Sequence, residues 1–141
     1  MSNNKKLRKK LGRVTSEHTL PDLYETSDSD YFIFSFRYLH KDYGLEHKNL
    51  TKDYKLQLLS RLVRTTNMTW LQLELKNKKD GGIERIPKEC LKKSLPYVVT
   101  DDIDKLYVLR FASQQCRLIG FRRGNIFFVL FIDPDLSLYN H

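Results

Sequence analysis

The run Asn125-Ile-Phe-Phe-Val-Leu-Phe-Ile-Asp133 constrains the fold of this chain more than any other stretch. Between Ile126 and Ile132 every residue is apolar, all but Leu130 are β-branched or aromatic, and the run stops at Asp133-Pro134. That composition and length fit a central strand buried on both faces of a sheet better than a helix. Upstream, Cys116-Arg-Leu-Ile-Gly-Phe121 and Leu106-Tyr-Val-Leu-Arg-Phe111 read as two further strands. Arg122-Arg-Gly-Asn125 supplies the Gly and Asn that tolerate positive φ in a tight hairpin, and polar Ser113-Gln114-Gln115 joins the other pair. The last third of the chain therefore predicts a three-stranded antiparallel meander.

The remaining segments predict what this meander packs against. Tyr31-Phe-Ile-Phe-Ser-Phe-Arg-Tyr38 alternates, with Phe32, Phe34, Phe36 and Tyr38 on one face, and reads as the first strand. Thr51 offers an N-cap to a helix over 52 to 65, with Tyr54, Leu58, Leu59 and Leu62 inward and Lys52, Lys55 and Arg61 outside. The stretch 69 to 76 can be read two ways: Leu71, Leu73 and Leu75 alternate, while Thr69 and Gln72 have capping-box spacing, which favours a short helix. After the break at Gly81-Gly82, Pro87 predicts the opening of another short helix through Lys93, with Pro96 preventing its extension. The expected class is α+β. An antiparallel sheet of an N-terminal strand and the meander, with one or two helices on one face, forms a single domain over 31 to 141. Residues 1 to 30 make a flexible extension, basic at first and then a Ser-, Thr- and Asp-rich linker.

The net charge of +8 gains meaning from its location. Between Lys105 and Ile132 stand Lys105, Arg110, Arg117, Arg122 and Arg123 with no acidic residue, so the meander is expected to present an electropositive surface to a polyanion such as RNA. Lys92 and Lys93 extend the candidate RNA-binding set. No apolar run approaches the roughly 18 residues a membrane span needs, and the N-terminus lacks the apolar stretch of a secretory signal, so a cytoplasmic protein is expected. Cys90 and Cys116 stand singly, without zinc-ligand spacing, and both are read as reduced thiols; no metal and no cofactor is expected.

The element order, with the strands 106–111, 116–121 and 126–132, resembles the RelE, HigB and YoeB toxins of bacterial toxin–antitoxin systems. The likeness covers residues 105 to 141 best and 31 to 67 more loosely. It implies a RelE-like fold, an endoribonuclease that cuts messenger RNA in the ribosome, and a cognate antitoxin protein as partner. It also implies catalytic roles for Arg110, Arg117, Tyr139 and His141. Arg117 matches the arginine that opens the family's second meander strand, Arg110 the arginine near the end of the first, and Tyr139 and His141 the terminal Tyr/His pair, here split by Asn140. No glutamate of this chain matches by position the carboxylate base of the YoeB-like members.

The chemistry of such a reaction can be stated independently of the family. Metal-free cleavage by the 2′-hydroxyl needs a proton acceptor, a cation for the charged phosphorane and an acid for the leaving 5′-oxygen. Two guanidinium groups suit phosphate oxygens, His141 can exchange a proton near neutral pH, and Tyr139 can stack on a base or move a proton. Each residue also has an ordinary structural reading: a strand-end arginine meeting solvent or an acid, a frayed terminal histidine, a tyrosine closing the core. The alternative function is a non-catalytic RelE-fold module of a phage or mobile element that binds nucleic acid or protein.

Overall fold

A computed structural model describes residues 28–141. The basic tail expected at 1 to 13, and the linker through residue 27, lie outside the described residues. Among the described residues the fold is α+β, with two helices and one mixed five-stranded sheet. Its strands are β1 (Ile33–Ser35), β2 (Ile83–Pro87), β3 (Lys105–Phe111), β4 (Cys116–Arg123) and β5 (Ile126–Asp133), in the order β1-β5-β4-β3-β2. The meander β3-β4-β5 runs antiparallel throughout, as the sequence predicts, and the turn into β5 places Gly124 at φ 61. β5 lies between β1 and β4, inside the sheet.

Three features depart from expectation. The sheet is not purely antiparallel, because β1 pairs with β5 in parallel, Ile33 opposite Ile126. β1 is also only three residues long: the chain turns at Phe36, whose carbonyl accepts from Leu39 N–H. Phe32 and Phe34 consequently join the helix side of the core while Tyr38 crosses to the other face. The helix expected from Pro87 to Lys93 is instead the end of β2 followed by a single 3-10 turn, Lys88–Cys90. Pro87 is tolerated in β2 because that strand is an edge of the sheet.

The helices cover one face. Helix α1 (Lys52–Thr66) is capped by the Thr51 side chain, which accepts from Tyr54 N–H at 3.1 Å, and α2 (Trp70–Leu75) opens with the Thr69–Gln72 capping box. Trp70 and Leu73 are fully buried beneath α2, and Trp70 Nε1 donates to the Asn125 carbonyl at 2.9 Å, tying the helix to the β4-β5 turn. The buried stripe of α1 is Leu58, Arg61 and Thr65. Arg61 therefore faces inward, against expectation, and Leu59 faces out. Spacing of one helical turn governs here: 58, 61 and 65 share a face whatever their polarity. Burial holds the Arg61 pKa down at about 10, and its Nη2 donates to the Gly81 carbonyl at 2.7 Å.

The opposite face carries Ile86, Leu106, Val108, Ile119, Phe121, Leu130 and Phe131, roofed by Leu95, Val98 and Val99 of the 88–104 segment and by Leu138 and Tyr139 of the C-terminal tail. A bulge fixes how the last strand presents its side chains. Ile119 pairs with Phe131 but Gly120 pairs with Val129, leaving Leu130 as an extra residue on β5. Leu130 and Phe131 then face the same side, and the alternation slips by one, so that Asp133 faces the roofed side with Arg117, its register partner. Gly120 is needed at this point: a Cβ there would come within 2.0 Å of the Phe128 carbonyl oxygen.

Candidate functional site

Antiparallel pairing puts directly opposed residues on the same face of the sheet. Arg110 lies opposite Arg117, Arg117 opposite Asp133, and Glu84 opposite Val108, two residues from Arg110. Glu84, Arg110, Arg117 and Asp133 thus stand in a row across four strands on the roofed face. Arg110 Nη2 is 3.6 Å and Lys78 Nζ 3.5 Å from Glu84 Oε2, while Tyr139 Oη is 3.5 Å from Glu84 Oε1.

The tail is returned to this row by Asp133. Its carboxylate is fully buried and accepts from the N–H groups of Asp135 (3.1 Å), Ser137 (2.9 Å) and Leu138 (3.1 Å) and from the Ser137 hydroxyl (3.3 Å). Leu136 takes φ 56 to complete the turn, and Lys92 N–H donates to the Leu138 carbonyl at 2.7 Å. Tyr139 is thereby placed over the sheet with 5% exposure, and the His141 ring lies against it, tilted by 38° with centroids 4.2 Å apart.

The two arginines are held differently. Arg117 is 5% exposed and donates from Nη1 to the carbonyls of Gln114 (2.6 Å) and Cys116 (3.2 Å). It anchors the β3-β4 turn, in which Ala112, Ser113 and Gln114 all have positive φ, between 52 and 72. Non-glycine residues adopt that conformation only when neighbours hold it. Arg110 does so from the other side, donating to Gln114 Oε1 at 2.7 Å, and Gln114 Nε2 donates on to the Lys79 carbonyl at 3.0 Å. Among the described residues the buried Nε atoms of both arginines have no hydrogen-bond acceptor.

These surroundings set the protonation states. Burial, with the Glu84 charge beside it, pushes the Tyr139 phenol up, so it is a proton donor at neutral pH. Burial, with the Arg117 charge nearby, pushes His141 below 6.5, so its imidazole is neutral at pH 7. At the start of β4 burial raises the Cys116 thiol to about 11, and Cys90 is exposed; both are free.

All four residues that the resemblance marks as catalytic come together in this way, and Glu84 joins them unforeseen. The signal that could have found it is Ile83-Glu-Arg-Ile-Pro87 after Gly81-Gly82, a five-residue edge strand. The five candidate RNA-binding residues do not form one patch. Arg122 lies on the helix side, 2.5 Å from Asp28 and 3.6 Å from Glu74, with its guanidinium 4.1 Å from the centre of the Trp70 ring. Arg123 is paired with Asp102 at 2.7 Å, which holds that carboxyl down at about 2. Lys105 shares a hollow of about 430 Å³ with Asp102 and Asp104. Lys92 and Lys93 are exposed in the roofing segment.

Comparison with known protein families, curated proteins and solved structures finds no match to this chain. Among the described residues no helix is long and apolar enough to cross a membrane.

Proposed function

We propose that this chain is a toxin-like endoribonuclease of RelE-like fold that cleaves messenger RNA by attack of a 2′-hydroxyl on the adjacent phosphate. The observation that carries the reading is the meeting of Glu84, Arg110, Arg117 and Tyr139 on one sheet face, with two buried guanidinium Nε donors that have no acceptor among the described residues. A phosphate oxygen is the kind of group such donors bind. Glu84 takes the 2′-hydroxyl proton as the 2′-oxygen bonds to phosphorus, and the arginines carry the charge of the phosphorane. The bond to the 5′-oxygen then breaks as that oxygen receives a proton from Tyr139, leaving a 2′,3′-cyclic phosphate and a 5′-hydroxyl. His141, neutral and in tilted contact with the Tyr139 ring, orients the phenol and can return its proton. Cytoplasmic action on RNA in the ribosome, and neutralisation by an antitoxin, belong to the same proposal.

A second reading, the non-catalytic RelE-fold binding module, draws on burial. Arg117 and Tyr139 are each only 5% exposed, so a phosphate reaches them only if residues 139 to 141 shift. Induced expression of the wild type, Glu84→Gln and Tyr139→Phe in a bacterium separates the two. Growth arrest, and transcripts ending in 2′,3′-cyclic phosphate, should appear with the wild type and fall by about 10²–10⁴ in either variant, the range for loss of one acid or base. Cleavage that persists undiminished in both variants, or is absent from the wild type, overturns the nuclease reading.

A further inference from the structure

The outward side of α1 carries an apolar stripe among its polar residues, and among the described residues nothing covers it. Leu56, Leu59 and Val63, spaced along one helix face, are 65%, 57% and 57% exposed. Leu59 continues into a cleft of about 270 Å³ between α1 and the 36–45 segment, lined by Phe36, Leu39, Leu45, Leu62 and the stem of Lys55. Leu45 is itself 52% exposed. Stripe and cleft together make a contiguous apolar surface of the kind that marks an interaction site.

The charges around it identify the partner. Lys52, Lys55 and Arg64 of α1 and Arg37 beside Phe36 outnumber the neighbouring acids Asp53 and Glu46. Among the described residues none of these four cations has a carboxylate within ion-pair distance. We propose that this surface docks an amphipathic helix of a partner protein, apolar along one face and acidic on its flanks. An apolar stripe with a cleft beside it takes anchors at i, i+3 or i+4 and i+7. A second copy of this chain would bring the same basic rim, on a molecule of net charge +8, against itself. The site stands on the side of the sheet away from Glu84 and Tyr139, and the proposal does not depend on the nuclease reading.

The test uses the full-length protein and a synthetic helix of about 15 residues, leucine on one face and glutamate elsewhere, with a lysine-for-glutamate twin as control. Titration by anisotropy should show saturable binding of the acidic peptide, weakened by salt, and at least tenfold weaker binding of the twin. Leu59→Asp and Val63→Asp should each reduce the affinity about tenfold or more, the scale of an interface anchor, and being exposed they should leave the melting temperature unchanged. Equal affinity for the two peptides, no binding of either, or binding untouched by both substitutions overturns the proposal. So does sedimentation showing that the chain self-associates and that Leu59→Asp abolishes it, since the occupant is then a second copy.

Discussion

Replacing Asp133 with alanine should release the tail that carries Tyr139 and His141 while leaving the sheet in place. The carboxylate has four donors, of which the Leu138 N–H lies in a buried setting and the Asp135 and Ser137 groups lie in exposed residues. A hydrogen bond to a charged group is worth about 1.5–3 kcal/mol where water cannot replace it, and about 0.5 kcal/mol is reasonable for each donor that water can reach. Burying the ionised carboxylate has its own desolvation cost, which the substitution removes. The net loss is expected at about 2–4 kcal/mol, or roughly 10 °C in melting temperature for a domain of this size. Urea unfolding gives the first quantity. Amide hydrogen exchange then locates the loss: amides 135 to 139 should exchange far faster, while β3 and β4 amides change only as global stability does. A loss below about 1 kcal/mol, or tail amides as protected as in the wild type, would refute the claim that Asp133 holds the tail.

Two further outcomes are expected. Arg117→Ala should destabilise the fold by about 2–4 kcal/mol rather than the 0.5 kcal/mol or less of a surface change, because a buried guanidinium is lost from the strained 112–114 turn. Thermal unfolding of the variant checks this, and it makes Arg117 a poor residue for an activity test. Acid should weaken the fold through His141. Its folded-state pKa lies below 6.5, so as pH falls the unfolded chain takes the proton first; the contribution is intact above about 6.5 and is lost as pH drops below it. Denaturation midpoints at about pH 7.5 and 5.5 should differ less in His141→Ala than in the wild type, and an equal difference would refute the assignment.

What the sequence made legible follows the range of the interactions involved. The β3-β4-β5 meander is readable because β5 is a continuous apolar run and β3 and β4 are β-prone runs joined to it by short turns, and α2 because both partners of its capping box lie within three residues. β2 is not, since Ile83 faces the helices and Ile86 the opposite side, which gives neither alternation nor an unbroken run. Polarity points Arg61 outward, whereas its spacing from Leu58 and Thr65 sets it inward. The parallel pairing of β1 has no local signature, and nor does the approach of Glu84 to Arg110, which depends on two strands taking a particular register. The bulge that turns Asp133 toward the tail was marked only by Gly120, whose reason is a carbonyl on another strand.

The pairing of β1 with β5 also fixes the order in which the fold can be completed. Ile33 waits for Ile126, nearly the whole described chain later, whereas β3, β4 and β5 meet through short turns. Closing so long a loop before it is compensated by contacts is slow, so the meander is expected to assemble first and β1 to dock last. During synthesis α1 and α2 emerge well before the sheet they cover, and until β5 exists the inward side of α1 is bare in addition to its outward apolar stripe. The interval between making α1 and seating β1 is therefore when this chain is most exposed to aggregation, and a chaperone that shields α1 in that interval should raise its soluble yield.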